Sequence, residues 1–188
     1  RLFWFGLMVS TMGTYLQQLA EGWLIYDMTG SSFLLGALGF IGLLPVVPIA
    51  FLGGVIIDRV PRRKLIMITQ TGLLLQAVLF GVLVLSGQIR VWQIIVLDFF
   101  LGALYAIDLP ARQAFLVELV GTDDLPNAIA LNATTINLSR VVGYVLAGVL
   151  IAAAGVGGAM LINAATYLAP LTALFLIRVI DAPQDTQG

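Results

Sequence analysis

The amino-acid sequence predicts an all-α membrane protein of six transmembrane helices, and three observations lead there. Of its 188 residues, 60% are hydrophobic and only 10% charged, where a soluble domain carries about 45–50% and about 25%. Mean hydropathy is +1.04. Six stretches approach the roughly 20 mostly apolar residues that carry a helix across a bilayer. None shows the alternation over about 10 residues that a barrel strand needs.

Each element follows from its own residues. Residues 2–26 are read as the first span, interrupted by Ser10, Thr11, Thr14, Gln17, Gln18 and Glu21. Residues 33–57 carry no charge, and Pro45 and Pro48 are expected to kink them. Residues 65–86 are likewise uncharged; 91–107 carry only Asp98, and 127–154 only Arg140. Residues 156–177 close the set, with a kink expected at Pro170. Gly155-Val-Gly157-Gly158 joins two membrane helices with no strand before it, so it reads as a tight turn and not a dinucleotide loop. The stretch 109–126 is expected as a long inner loop, in which 111–124 form an amphipathic extension at the membrane surface. Residues 181–188 read as the start of a cytoplasmic linker. The chain opens on Arg1 and stops in this linker, so it is expected to be a fragment of a longer protein.

Orientation follows from the basic residues of the short loops. Arg1, Arg59, Arg62, Arg63, Lys64, Arg112 and Arg178 share one side, against Arg90 on the other. Both termini are therefore expected in the cytoplasm. Trp4, Trp23, Tyr26 and Trp92 sit near span ends, as interfacial anchors do.

Composition also excludes function classes. There is no Cys and no His, which removes disulfides, thiol catalysis, Cys/His metal sites and Ser-His dyads. A net charge of −1 provides no basic field for nucleic acid. No cofactor or metal is implied. The Asn132 and Asn137 sequons lie inside a span, where no acceptor loop exists.

Charges inside the bilayer cost about 2.5–3.5 kcal/mol each at a helix centre, so they face a cavity or a partner. Glu21, Asp98 and Arg140 are the three. Thr14, Gln17 and Glu21 form one stripe at helical spacing, and Asn137, Arg140 and Tyr144 form another. Two readings stand: a substrate or proton pathway between spans one, four and five, or a buried ion pair of Arg140 with Asp98 or Glu21 that only fixes packing. Glu21, near the outer end, has a third option, snorkelling to the interface.

The loop 53–64 reads GGVIIDRVPRRK and crowds Gly54, Asp58, Arg59, Arg62, Arg63 and Lys64 together. An ordinary positive-inside loop needs the basic residues but neither Gly54 nor Asp58. Gly54-x-x-x-Asp58-Arg59-x-x-Arg62-Arg63 resembles the signature loop between helices two and three of the major facilitator superfamily, with Pro61 where a second Gly is usual. The segment Asp108-Leu109-Pro110-Ala111-Arg112-Gln113 is similar to a bacterial branch of that superfamily that includes the enterobactin exporters. So is the opening with Gln17-Gln18, Gly22-Trp23, Tyr26 and Thr29-Gly30.

The resemblance implies the N-terminal six-helix half of that fold. Helices one, two, four and five would border a central cavity, with three and six outside. It implies that Asp58 latches onto the second half at the cytoplasmic side. Arg59, Arg62 and Arg63 would tie the loop to the end of helix four, near Arg112 and Asp108. Drug/proton antiporters of the superfamily carry a Gly- and Pro-rich motif on helix five. Here Gly143, Ala147 and Gly148 remain, but Tyr144 stands where the Pro would be, and the small residues read first as helix packing.

The function expected is secondary active transport in the bacterial inner membrane. Alternating access would export a small amphiphilic molecule, drug-like or a siderophore, driven by protons. Its partners would be the substrate, protons, the lipid bilayer, and a second six-helix half in the same chain or a second copy. A non-transporting receptor or assembly protein on the same fold is the alternative, and an intramembrane enzyme a more distant one, since no GxGD or DxxD carboxylate set is present.

Overall fold

The computed structural model describes residues 2–49, 60–120 and 124–176. Gly54, Asp58 and Arg59 of the basic loop lie outside the described residues. All regular structure among the described residues is helical. α1 spans Leu2–Thr29 and α2 spans Ser32–Leu43, with helix resuming over 46–49 beyond Leu44 and Pro45. α3 spans Arg62–Leu85 and α4 spans Val91–Val120. The stretch Leu125–Thr166 is two helices, α5 (125–154) and α6 (156–166), broken at Gly155. α7, Leu168–Leu176, extends α6 past a turn at Tyr167.

Four stretches are long and apolar enough to cross a membrane: Ser32–Ile49, Arg62–Leu85, Val91–Val117 and Leu125–Leu176. The six expected stretches differ from these for two reasons. α1 is long enough, but its polar stripe lowers its apolarity. The last stretch runs 52 residues, about 78 Å at 1.5 Å per residue, and it reverses partway. Gly155 sits at φ 69°, ψ 174°, a region open essentially to glycine alone. The expected turn is therefore present at Gly155.

Contacts set the directions. Trp4 meets Thr135, Met8 meets Ser139 and Met12 meets Gly143, so α1 and α5 run parallel. Gln17 meets Asn163, Gly13 meets Thr166 and Gly6 meets Pro170, so α6–α7 run antiparallel to α1. α3 runs against α4 through Thr69–Asp108 and Gln76–Leu97. It runs against α6–α7 through Gly81–Leu161 and Arg63–Leu174.

Small residues permit these close approaches. A β-carbon on Gly102 of α4 would overlap the Gly42 carbonyl oxygen of α2, and one on Gly143 would come within 2.6 Å of the Met12 carbonyl oxygen. Helix packing is thus the role that Gly143 visibly fills. Buried apolar clusters fill the interior: Ile25, Phe80, Ile94 and Met160 at one end, Ile66, Phe115 and Leu174 at the other. The exterior is apolar too, with Phe33, Leu75, Val82, Val145 and Phe175 exposed, as suits a chain whose solvent is hydrocarbon.

The expected inner loop at 109–126 is mostly helix. α4 continues unbroken through Pro110 to Val120. The charged groups where that stretch begins are not solvated by a membrane surface. Asp108 and Arg112 are both buried and form an i,i+4 ion pair at 2.5 Å. Thr69 Oγ1 donates to Asp108 Oδ1 at 2.6 Å, and Gln70 Nε2 donates to both carboxylate oxygens at 3.1 Å. Partners on α3 satisfy the charge that the sequence suggests is in water.

Candidate functional site

α1 carries two polar faces. Its first is the expected stripe, and it points into the bundle. Gln17 is fully buried and is the hub: Nε2 donates to Glu21 Oε1 at 2.7 Å and to Gln76 Oε1 at 2.8 Å, while Oε1 accepts from Asn163 Nδ2 at 2.5 Å. Gln76 Nε2 in turn donates to the Leu97 carbonyl at 3.3 Å. Thr14 Oγ1 bonds the Tyr167 hydroxyl at 3.1 Å. Four helices, α1, α3, α4 and α6, are thereby joined through polar groups that lipid could not satisfy.

At the edge of this network Glu21 and Asp98 bring two carboxyl groups close enough to interact. Glu21 is 1% exposed and Asp98 8%, so Glu21 does not snorkel. Both line a cavity of about 720 Å³ between α1, α2 and α4, walled by Leu38, Gly39, Gly42 and Leu101. A β-carbon on Gly42 would come within 2.8 Å of Asp98 Oδ2, so glycine on α2 makes room for the carboxylate. Among the described residues no ion pair joins either group to a Lys or Arg. Two neighbouring acids in the wall of an apolar cavity can hold a shared proton. No group of three acidic side chains among the described residues is placed to hold a metal ion.

The second face belongs to Arg140. The expected ion pair with Asp98 or Glu21 is not formed. Arg140 is exposed, donates from Nη2 to the Tyr15 hydroxyl at 3.3 Å, and lies 5.2 Å from the centre of the Tyr15 ring, a cation–π distance. Tyr144 meets the same ring edge-on at 5.6 Å. Asn137 is exposed and donates to the Ala133 carbonyl of its own helix at 2.9 Å. A cavity of about 220 Å³ between α1, α4 and α5 is lined by Trp4, Tyr15, Tyr105, Arg112, Thr135 and Arg140, among others. The six expected pathway residues therefore divide into two groups. Gln17, Glu21 and Asp98 lie together inside, while Asn137, Arg140 and Tyr144 share the exposed face of α5.

The basic residues divide too. Arg63 Nη2 donates to the Leu174 carbonyl at 2.7 Å, tying α3 to α7 and not to the end of α4. Arg62 opens α3 beside it. Arg112 is inside α4, and α3 reaches the Asp108–Arg112 pair through Thr69 and Gln70.

Sequence reasoning missed Gln76, Asn163, Thr69 and Gln70. The superfamily resemblance places helices three and six outside, and neither carries a formal charge, yet they supply half of the polar network. The signal was present: an amide buried in hydrocarbon also needs partners, and Gln76 and Asn163 are amides within spans.

These helices, with polar groups sequestered inside an apolar exterior, define a multi-pass membrane protein. The family of transmembrane secretion effectors matches residues 1–186; the chain belongs to that family, within the major facilitator superfamily, as an N-terminal half. It is 28% identical over 177 residues to the staphyloferrin A transporter of Staphylococcus aureus (strain NCTC 8325 / PS 47), covering 93% of this chain and 45% of that protein. It is 26% identical over 170 residues to the uncharacterised MFS-type transporter YfiS of Bacillus subtilis (strain 168), covering 90% of this chain and 40% of that one. The chain thus spans less than half the length of these curated relatives. No solved structure matches it.

Proposed function

We propose that this chain is the six-span N-terminal half of a proton-coupled secondary transporter in the bacterial inner membrane, with both termini of the segment cytoplasmic. The transporter exports a small amphiphilic molecule, drug-like or a siderophore, by alternating access. A second six-helix half completes the passage. The six spans are α1 to α4 and the two arms on either side of Gly155, since the reversal there turns one long apolar stretch into two crossings. The relative named for staphyloferrin A transport supports a small-molecule cargo.

The observation that carries the reading is the Glu21–Asp98 pair. Two carboxyl groups in an apolar wall, with no described cation beside them, have one economical use: they take up a proton in one state and release it in the other. Gly42 and Gly102 bring α2 and α4 into close contact beside the pair, so a shift of α2 would change access to it. The loop holding Gly54, Asp58 and Arg59 latches the cytoplasmic side, in line with the superfamily resemblance.

The test uses the full-length protein in proteoliposomes, with candidate compounds screened with and without a pH gradient. Asp98→Asn is expected to insert normally and to lose gradient-driven flux. Undiminished, still proton-coupled flux through that variant refutes the assignment.

A further inference from the structure

Arg140 and Arg112 converge on one cavity from different helices, and no carboxylate of the described residues lines it. Arg112 is 7% exposed, and its Nη2 has no hydrogen-bond partner. Its ion pair with Asp108 runs through Nε, which leaves the far end of the guanidinium over for something else. A buried cationic donor without an acceptor is costly, and a ligand acceptor would relieve that cost. Arg140 is held in place by the Tyr15 hydroxyl and ring, neither of which neutralises its charge. Trp4, Tyr15 and Tyr105 supply flat apolar walls between the two cations. Trp4 is itself fixed by donating from Nε1 to Thr135 Oγ1 at 3.2 Å.

We infer that this cavity is a binding site for an anionic aromatic or amphiphilic molecule whose carboxylate is received by Arg140 and Arg112 and whose apolar body stacks on the tyrosines and Trp4. The separation of charges in the fold supports this. Glu21 and Asp98 stand at the other cavity, and Asp108, buried behind Arg112, engages only its Nε, which leaves Nη2 and Arg140 to an incoming anion. Cargo and proton then occupy opposite sides of one helix. As a cargo site the inference rests on the transporter reading; as a binding site it does not.

The experiment measures equilibrium binding of tritiated 2-naphthoate to the full-length protein in nanodiscs, with 2-naphthamide and a naphthylmethylammonium ion as competitors. Saturable binding is expected, with naphthoate outcompeting the neutral amide at least tenfold and the ammonium ion failing to compete. Arg140→Gln is expected to weaken binding at least tenfold. Arg140→Lys should retain part of the affinity, since it keeps the charge and loses the fork. Arg90→Gln, at the opposite end of α4, should bind like the parent. Equal affinity for acid and amide, or full affinity in a folded Arg140→Gln variant, overturns the site. So does absence of naphthoate binding, the result expected if an acidic residue of the second half already occupies Arg140. Charge-selective binding without flux would instead defeat the transporter reading and leave the site standing.

Discussion

Replacing Gln17 with Leu removes the hub of the buried network without changing the size of the side chain much. Three partners lose a hydrogen bond at once: the Glu21 carboxylate, the Gln76 carbonyl oxygen and the Asn163 amide. Interhelical hydrogen bonds in membranes average about 0.6 kcal/mol and reach about 1.7, so three together amount to roughly 2–5 kcal/mol. The upper part of that range is expected, because all three partners are buried and an abandoned buried group costs more than a lost exposed contact. Gln18, one residue along, is exposed; Gln18→Leu should stay within about 0.5 kcal/mol of the parent. Reversible unfolding of the full-length protein in mixed detergent–SDS micelles reads both variants on one scale. If Gln17→Leu proves as stable as Gln18→Leu, the stripe is not a structural hub and the account of α1 fails.

Two further perturbations test other parts of the fold. Asp108→Asn leaves Arg112 buried without its counter-ion, and breaking a buried pair this way costs about 3–5 kcal/mol. The double variant Asp108→Asn/Arg112→Gln should recover part of it in the same unfolding assay, and a double variant no better than the single would show that the pair is not the source. Gly155→Ala forces a β-carbon into a backbone region nearly closed to it and should cost about 1–3 kcal/mol; an unchanged midpoint would mean the reversal does not depend on that conformation.

Much of this protein is legible in one dimension. Its apolar stretches and their lengths follow from transfer free energy, which composition reports directly. The residues worth attention, Glu21, Asp98 and Arg140, are legible for the same reason: an ionised group in hydrocarbon needs an exceptional environment, whatever the fold. Uncharged amides such as Gln76 and Asn163 give a fainter signal. The polarity around Arg112 suggests a solvated loop although it reflects pairing, because a charge beside a span looks the same in sequence whether water or a buried Asp108, held by Thr69 and Gln70, receives it.

Residue order alone makes the chain a helical membrane protein and marks the side chains too costly to sit in lipid. Which of them meet was decided only by the tertiary structure. Tyr15 and Gln17 are two residues apart, about 200° around α1 at 3.6 residues per turn, so they look in nearly opposite directions. No local rule says which of those directions α5 will occupy. Packing put α5 on the Tyr15 side and α3 and α6 on the other, with α4 reaching both cavities, and so separated Arg140 from Glu21 and Asp98.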